Sequence, residues 1–372
     1  ARIMRVLHTN VRRLILNAHL FVALTAGAFM VILGLTGSIM EFEPELDHSL
    51  HPHLSYITPG RQVLSLSEIG DAASRRFGGE PVVAYLPSSS ADLSSQVILP
   101  SGIAYVNQYT GEVLGERVRG ETFFGYVREL HVRLATGNFG TGIVKWSAIA
   151  MIFSLASGFY LWWPMKQVCI RTKWGGRRLW FDLHNAIGIF TLLPLAMLAA
   201  TGTILGFEDQ LAPVIYGLTG SQPTHTTRSP VREAAPGAMS ITPDKAVAIA
   251  RASMPGTVPY RVQMPNYGGV YEIALLDPHD SVAGDRNVVA LDPYRGSILS
   301  VTRSSHLSRG ERFLAMNEAI HTGSVMGMAS RITVWLASTA VFVQALSGMM
   351  MWLYRKKILL AARGSTNQES VS

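Results

Sequence analysis

The sequence predicts a membrane α-helical protein in which four transmembrane helices form a duplicated two-helix unit, with two small α+β domains between the helices. Three observations lead to this fold class. Hydrophobic residues make up 48% of the 372 residues and charged residues only 15%, a balance typical of membrane proteins. Four apolar stretches are long enough to cross a bilayer, which takes about 20 residues. The two halves of the chain also repeat each other's motifs at a constant spacing, as duplicated folds do.

The apolar stretches divide the chain into alternating membrane and aqueous segments. We expect the first stretch to be a retained signal anchor, because its apolar core is longer than that of a cleavable signal peptide. Basic residues crowd the short flanking segments, so the positive-inside rule places both termini and the middle loop in the cytoplasm. The two long connections then lie outside, in a periplasm. The predicted order is a cytoplasmic N-terminus 1–17, helix 18–40, periplasmic domain 41–139, helix 140–163, cytoplasmic loop 164–180, helix 181–207, periplasmic domain 208–330, helix 331–354 and cytoplasmic tail 355–372.

Each long connection is expected to fold as a small α+β domain with an antiparallel sheet. An amphipathic helix comes first in each, with Ser67 and Thr242 as N-caps or near-caps. Alternating apolar residues then predict strands. Gly111 and Gly296 each close a tyrosine-led triplet, which predicts a hairpin turn with glycine at the conformationally permissive position.

The duplication follows from paired motifs at matching offsets. Both repeats begin and end on the same side of the membrane, so they are parallel and their pseudo-twofold axis runs along the membrane normal. Equivalent residues should then lie at equal depth and face each other across that axis. The motifs in register are Thr36-Gly37 with Thr201-Gly202, at the spacing of His19 and His184, and Ser157-Gly158 with Ser347-Gly348, at the spacing of His131 and His321.

Four histidines obey this symmetry. His19 and His184 lie near the start of apolar stretches, and His131 and His321 come just before the other two. An ionisable side chain at a membrane segment is a functional-site candidate, and two facing imidazoles at one depth could supply both axial ligands of a haem iron. The sequence therefore predicts two haems, one near the cytoplasmic face and one near the outer face. For a single histidine, a hydrogen-bonded interfacial residue would be the better interpretation.

The motifs around these histidines resemble those of a known family. The chain resembles the PepSY-associated transmembrane proteins over nearly its whole length, and among them the inner-membrane siderophore-iron reductases of Gram-negative bacteria, of the ferrioxamine reductase type. The resemblance implies two haem b groups, PepSY-like external domains, electron transfer across the inner membrane and reduction of Fe(III)-siderophore in the periplasm. It rests on Leu130-His131 with Gly137 and Gly140, on Ile320-His321 with Gly323 and Gly327, and on Asp182-Leu183-His184 with Gly188.

The source of the electrons is not visible in the sequence. No G-x-G-x-x-G fingerprint lies between a strand and a helix, and the cytoplasmic segments are too short for a nucleotide-binding domain. The expected donor is therefore either membrane quinol or a soluble cytoplasmic reductase steered to the basic inner face. Membrane lipids are the other expected partner. Nucleic acid is not, because the net charge of +7 is carried largely by the helix flanks.

Other residues carry weaker signals. His48, His51 and His53 could hold iron transiently or lie near the outer haem, although a solvated polar linker is the simpler interpretation. His306 could border the site of His321. Among other polar residues, Gln344 should form hydrogen bonds across helices, and Cys169 is interpreted as an incidental thiol. Glu41 belongs to an interfacial acidic cap, or to a proton-handling or substrate-facing group.

Two other functions stay open at this point. The chain could be a PepSY-type periplasmic binding or regulatory protein without redox activity, in which the four histidines only tie helices together. It could also be a transporter, but four helices without a pair interrupted by glycine or proline make a poor transport path. Haem content separates the reductase from both alternatives.

Overall fold

The computed structural model describes residues 2–118, 122–166, 168–171, 176–224, 239–265, 269–278 and 287–369, and within these the side chains of residues 10–356. The described residues contain four helices long and apolar enough to cross a membrane, one eight-stranded antiparallel sheet and several shorter helices. They form two compact units. A helical unit comprises Ala1–Glu41, Val127–Leu211 and Asn317–Ser372, and a sheet unit comprises Phe42–Tyr126 and Ala212–Met316.

The helices and strands alternate in two similar series along the chain. The helices are α1 Arg2–Met40, α2 Glu43–Leu50, α3 Pro52–Ser55, α4 Leu66–Arg76, α5 Phe123–Arg133, α6 Gly137–Trp162, α7 Gly176–Gly206, α8 Glu208–Thr219, α9 Pro243–Ser253, α10 Arg309–His321 and α11 Met328–Glu369. The strands are β1 Ala84–Leu86, β2 Ser95–Ile98, β3 Gly102–Val106, β4 Val113–Val118, β5 Val258–Gln263, β6 Tyr271–Leu276, β7 Asn287–Leu291 and β8 Ile298–Thr302.

The four predicted transmembrane helices are confirmed, and the chain is a multi-pass membrane protein. Each helix starts before the apolar stretch that predicts it, because helical geometry continues into the polar flanks. The helical unit also includes His131 and His321, which the sequence analysis grouped with the external domains. The candidate spans are Asn10–Met40, Gly137–Trp162, Gly176–Gly206 and Met328–Lys356.

The four membrane helices pack as a ring. Helix α1 contacts α6 and α11, and α7 contacts the same two helices, so α1 and α7 are diagonal to each other. Met30, Leu195, Ala337 and Val341 form the buried centre of this packing. A Cβ at Gly34 would lie only 2.6 Å from the carbonyl oxygen of Ser338. A small residue is therefore what lets α1 and α11 approach closely, as is common between membrane helices.

The two α+β segments, which the sequence predicts as two small domains, contribute their strands to a single sheet. Its strand order is β4-β3-β2-β1-β5-β6-β7-β8, and all pairs are antiparallel. The halves join where Ala84 pairs with Gln263 and Tyr85 with Val262. Each half alone would leave the inner edge of β1 or β5 unpaired, and an unpaired edge is a liability that pairing removes.

Helices α4 and α9 pack on this sheet and complete its core. Ile69 and Ala73 of α4, and Ala246 and Ala250 of α9, are almost fully buried in one cluster with the sheet residues. The predicted antiparallel α+β fold of these segments is therefore confirmed. The two turn glycines have the predicted left-handed backbone, with φ of 75° at Gly111 and 69° at Gly296.

The start of one surface helix differs from the prediction. Thr242 caps α9 as predicted, but the N-cap of α4 is Ser65, which forms a reciprocal capping box with Glu68. Ser67 instead donates its hydroxyl to the carboxylate of Asp244 at 2.8 Å, and Asp244 also accepts from the backbone N–H of Leu66 at 2.7 Å. The first turn of α4 is thus bound to α9, its counterpart in the second repeat.

Candidate functional site

The structure brings the four histidines together as two pairs inside the helical unit. The ring centres of His19 on α1 and His184 on α7 lie 6.5 Å apart, with their planes at 86°. The ring centres of His131 at the end of α5 and His321 at the end of α10 lie 6.4 Å apart, with their planes at 54°. Each pair takes one ring from each repeat.

Each imidazole is held by a hydroxyl on a membrane helix of its own repeat. The hydroxyl lies in every case within hydrogen-bond distance of Nδ1, which leaves Nε2 as the nitrogen available to a ligand. A metal-binding histidine usually forms such a bond with its second nitrogen, because the bond orients the ring. The four contacts are His19 with Ser157 at 2.8 Å, and His131 with Thr36, His184 with Ser347 and His321 with Thr201, each at 3.0 Å.

A glycine follows each of these hydroxyl residues and makes room for the ring. A Cβ at Gly202 would lie 3.0 Å from Cε1 of His321, and one at Gly37 would lie 3.2 Å from Cε1 of His131. Carbon atoms in contact prefer about 3.5–4.0 Å. An alanine at Gly37 or Gly202 would therefore displace the rings of His131 and His321, the predicted outer pair. The corresponding distances at the inner pair are 3.5 Å for Gly158 and His19, and 3.4 Å for Gly348 and His184.

We call these four dipeptides the hydroxyl–glycine steps: Thr36-Gly37, Ser157-Gly158, Thr201-Gly202 and Ser347-Gly348. In the sequence these dipeptides align the repeats, and nothing there shows that their hydroxyl groups contact the histidines. Their shared offset with the histidines was the available signal. Contact between step and ring depends on how two helices are rotated against each other, so it became visible only in the structure.

The spacing within each pair fits an iron atom between two imidazoles. A metal–imidazole bond is about 2 Å and a ring nitrogen lies about 1 Å from its ring centre, so two axial rings place their centres about 6 Å apart. The observed separations are 6.4 and 6.5 Å. A direct hydrogen bond between two rings would bring the centres to about 5 Å. The donor set and its spacing therefore fit bis-histidine ligation of haem better than direct contact.

Burial keeps the outer pair in the form that binds metal. Burial lowers the pKa of both His131 and His321, and the nearby ring of His321 lowers the pKa of His131 further. The neutral imidazole is the metal ligand. At neutral pH these two rings therefore need lose no proton before they bind iron.

A buried ion pair fixes the backbone next to the outer histidines. Nε of Arg331 lies 3.4 Å from a carboxylate oxygen of Glu41, and the same guanidinium also donates to the backbone carbonyl of Glu41. The carboxylate packs against the chain directly after His321, since a Cβ at Gly323 would lie 2.7 Å from it. The end of α1 is thus tied to the connection between α10 and α11.

Replacing Arg331 with methionine should destabilise the helical unit by about 2–3 kcal/mol. Removing one partner of a buried pair leaves the other charge buried and usually costs about 3–5 kcal/mol; we expect less here because Arg331 is 22% exposed, whereas Glu41 is only 4% exposed. Thermal unfolding of the detergent-solubilised protein measures the effect. The double variant Glu41→Gln with Arg331→Met should recover part of the loss.

The exposed pair of Glu129 and Arg133 provides the control for that experiment. Its side chains are 41% and 54% exposed, and exposed pairs contribute at most about 1 kcal/mol. Arg133→Met should therefore leave the midpoint of unfolding nearly unchanged. Equal effects of the two arginine substitutions would contradict the structural role given to the buried pair.

The inner pair has its own polar surroundings. Nε2 of Gln344 donates to the backbone carbonyl of His184 at 3.1 Å, which confirms the predicted hydrogen bond across helices. Asp182, two residues before His184, is buried; its carboxylate accepts from the backbone N–H of Arg171 at 3.2 Å and pairs with Arg178 at 3.1 Å. In the sequence Asp182 is only part of the motif before His184, and these bonds are not predicted.

The remaining histidine candidates lie in the sheet unit. His51 pairs with Asp47 at 3.2 Å and its ring centre lies 6.5 Å from that of His53, while His48 packs edge-on against Tyr56. His306 is exposed on a short 3-10 turn. Among the described residues, no group of three or more His, Cys, Asp or Glu side chains is arranged to hold a metal ion. The three neighbouring histidines therefore do not form such a group there.

Comparison with known proteins places the chain in a family. No curated protein is similar enough to this chain to be matched with it. The family described as the PepSY-associated TM region matches residues 16–355. That match includes all four paired histidines and all four hydroxyl–glycine steps. The chain therefore belongs to the PepSY-associated transmembrane region family.

Proposed function

We propose that this protein is a di-haem reductase of the bacterial inner membrane, which passes electrons from the cytoplasmic side or the quinol pool to Fe(III)-siderophore in the periplasm and releases Fe(II). One observation carries the proposal. Two histidine pairs, each with one ring from each repeat, have ring centres 6.4 and 6.5 Å apart. This is the spacing of two axial ligands on one metal, and its occurrence at two places supports two cofactors.

In this proposal each residue of the paired sites has a defined task. His19 and His184 hold the inner haem b, and His131 and His321 hold the outer one. When bound, haem supplies one-electron redox chemistry, while the protein supplies orientation and electrostatics. The hydroxyl–glycine steps orient the rings, and the ion pair of Glu41 and Arg331 fixes the backbone beside the outer pair. Apolar packing around Met30 and Leu195 excludes water from the interior of the helical unit.

The proposed substrate explains why reduction by one electron is useful. Siderophores bind Fe(III) through hard oxygen donors, which favour the higher charge. One electron converts the bound Fe(III) to Fe(II), which these donors hold much less tightly, so the metal is released. The electron comes from membrane quinol or from a soluble reductase at the basic cytoplasmic face. PepSY-like segments of the sheet unit would lie on the periplasmic side.

The visible spectrum of the purified protein tests the proposal. The protein should be produced with ample haem supply, and its spectrum recorded oxidised and after dithionite reduction, with haem measured per chain. We expect a low-spin b-type spectrum and two haems per chain. Oxidation of the dithionite-reduced protein by a ferric hydroxamate siderophore should then follow, with Fe(II) trapped by a chelator.

A colourless protein would contradict the reductase proposal. The PepSY-type binding or regulatory protein would then be the better interpretation, with the four histidines serving only to tie helices together. A protein that holds two haems but is not oxidised by any ferric siderophore would retain the electron-transfer part of the proposal and reject the substrate.

A further inference from the structure

The hydroxyl groups that contact the four histidines already use their only hydrogen. Each one donates to a carbonyl oxygen in the preceding turn of its own helix, as serine and threonine often do in helices. Thr36 donates to Ile32 at 2.7 Å, Ser157 to Phe153 at 2.6 Å, Thr201 to Met197 at 2.8 Å and Ser347 to Gln344 at 3.0 Å.

This arrangement determines which ring nitrogen carries the proton. A hydroxyl has one hydrogen and two lone pairs. Once the hydrogen is given to the helix, the oxygen can only accept, so the Nδ1 that faces it must be the donor. A neutral imidazole with hydrogen on Nδ1 has its free lone pair on Nε2. The same contact therefore specifies the tautomer that can bind a metal through Nε2.

The inner histidine of the second repeat gives independent support. Nδ1 of His184 lies 3.0 Å from the hydroxyl of Ser347 and also 3.1 Å from the backbone carbonyl oxygen of Gln344. A carbonyl oxygen has no hydrogen to donate. The carbonyl oxygen of Gln344 therefore requires a proton on this Nδ1, whatever the rotation of the serine hydroxyl.

We propose that Thr36, Ser157, Thr201 and Ser347 are positioning residues that lock His131, His19, His321 and His184 in the Nδ1–H tautomer before any haem binds. The fixed tautomer, which we call the lock, does not depend on a cofactor, whereas its use for haem ligation rests on the proposed function. The pseudo-twofold repeat applies it four times. It leaves the free lone pair of each paired ring on Nε2, so the protein does not select a tautomer when the iron arrives.

The first test reads the tautomer directly in protein without haem. Ring-¹⁵N-labelled histidine would be observed by NMR in haem-free protein in lipid nanodiscs at pH 8, with the His131 signal identified by its loss in His131→Gln. The shifts should show His131 wholly as Nδ1–H in the native protein. In Thr36→Val the hydroxyl acceptor is gone and only the backbone carbonyl of Leu33 remains near the ring, so the spectrum should contain a substantial Nε2–H population. Thr36→Ser keeps the hydroxyl and should restore the native spectrum.

Thr25→Val is the matched control on the same helix. The hydroxyl of Thr25 donates to the carbonyl of Phe21 at 2.9 Å and is exposed, and the contacts found for it are with carbonyls of its own helix. The substitution is chemically identical to Thr36→Val, so it corrects for any general effect of valine on α1. The His131 spectrum should be unchanged in Thr25→Val.

The second test measures haem retention at the outer site. Loss of such a supporting hydrogen bond typically weakens metal binding 10- to 100-fold. We therefore expect Thr36→Val to release outer haem about 10-fold or more faster to an apomyoglobin acceptor, and the reduction potential of that haem to change. The inner haem should be unaffected. Thr201→Val acts on His321 in the same way and replaces Thr36→Val if that variant does not fold.

The outcomes separate this inference from the proposed function. If His131 and His321 keep wholly native spectra in both valine variants, the lock is wrong even when the protein holds two haems. If the native protein holds no haem but Thr36→Val still shifts the tautomer of His131, the lock is correct and the reductase proposal fails.

Discussion

Replacing His321 with alanine is expected to remove one of the two proposed haems and leave the other with its native spectrum. The ring of His321 pairs with that of His131 at 6.4 Å, and the remaining single imidazole cannot supply both axial ligands of a low-spin iron. The haem content should fall from two per chain to about one. His19 and His184 lie on α1 and α7, away from the helices that carry the outer pair. The inner site should therefore keep its haem.

Because the two rings would hold one haem together, replacing either of them should have the same effect. His131→Ala should give the same spectrum as His321→Ala, and the double variant should lose no more haem than either single variant, because residues that act as a unit are strongly non-additive. His306→Ala is the control, since His306 is exposed on a short turn and should retain both haems. Full haem content in His321→Ala would show that the ligand assignment is wrong.

Replacing Gly140 with alanine is expected to damage the outer site without touching a histidine. A Cβ at this position would overlap the backbone carbonyl oxygen of Arg133 and the hydroxyl of Thr136. Backbone atoms cannot move aside cheaply, so the cost should reach at least about 3 kcal/mol, the upper part of the range for overpacking. The turn between α5 and α6 must then open, and α5 carries His131.

The neighbouring Gly142 offers a close control for that variant. It lies on the same helix, two residues further on, and a Cβ there would meet nothing within 4 Å. Gly142→Ala should be neutral or stabilise the helix by about 0.5–1 kcal/mol. Gly140→Ala should lower both the outer haem content and the midpoint of thermal unfolding, whereas Gly142→Ala should lower neither. Equal haem content and equal thermal midpoints in the two variants would contradict the close contact of Gly140 with Arg133 and Thr136.

Much of the helical unit could be predicted because its signals are local. A membrane span depends on the summed hydropathy of about 20 consecutive residues, which requires no knowledge of the rest of the chain. The same holds for the Thr242 cap and the turn glycines, whose hydrogen bonds and backbone angles involve residues a few positions apart. The Ser65 cap was missed although its signal is also local: Ser65 has Glu68 three residues later, as a capping box requires, whereas Ser67 lies inside the helix.

The site was predictable only to the level of its four histidines. Their positions follow the duplication, which is a property of the sequence, and so does their assignment to two pairs. The partner of Asp182 was within reach of the sequence, because Arg178 lies one helical turn before it. The partner of Glu41 was not, because Arg331 lies 290 positions further along the chain. A charge at a helix end has many partners of opposite sign, and sequence distance does not rank them.

The sequence by itself determined the number of membrane helices, the duplication and the candidate ligands. The summed hydropathy of a segment and the constant spacing between repeated motifs can both be read along the chain without knowing how it folds. The tertiary structure decided the rest. It joined two strand meanders into one sheet through β1 and β5, because each had an edge that the other could pair. It also set each histidine against a hydroxyl–glycine step, because the rotation and distance of packed helices depend on all of their contacts at once.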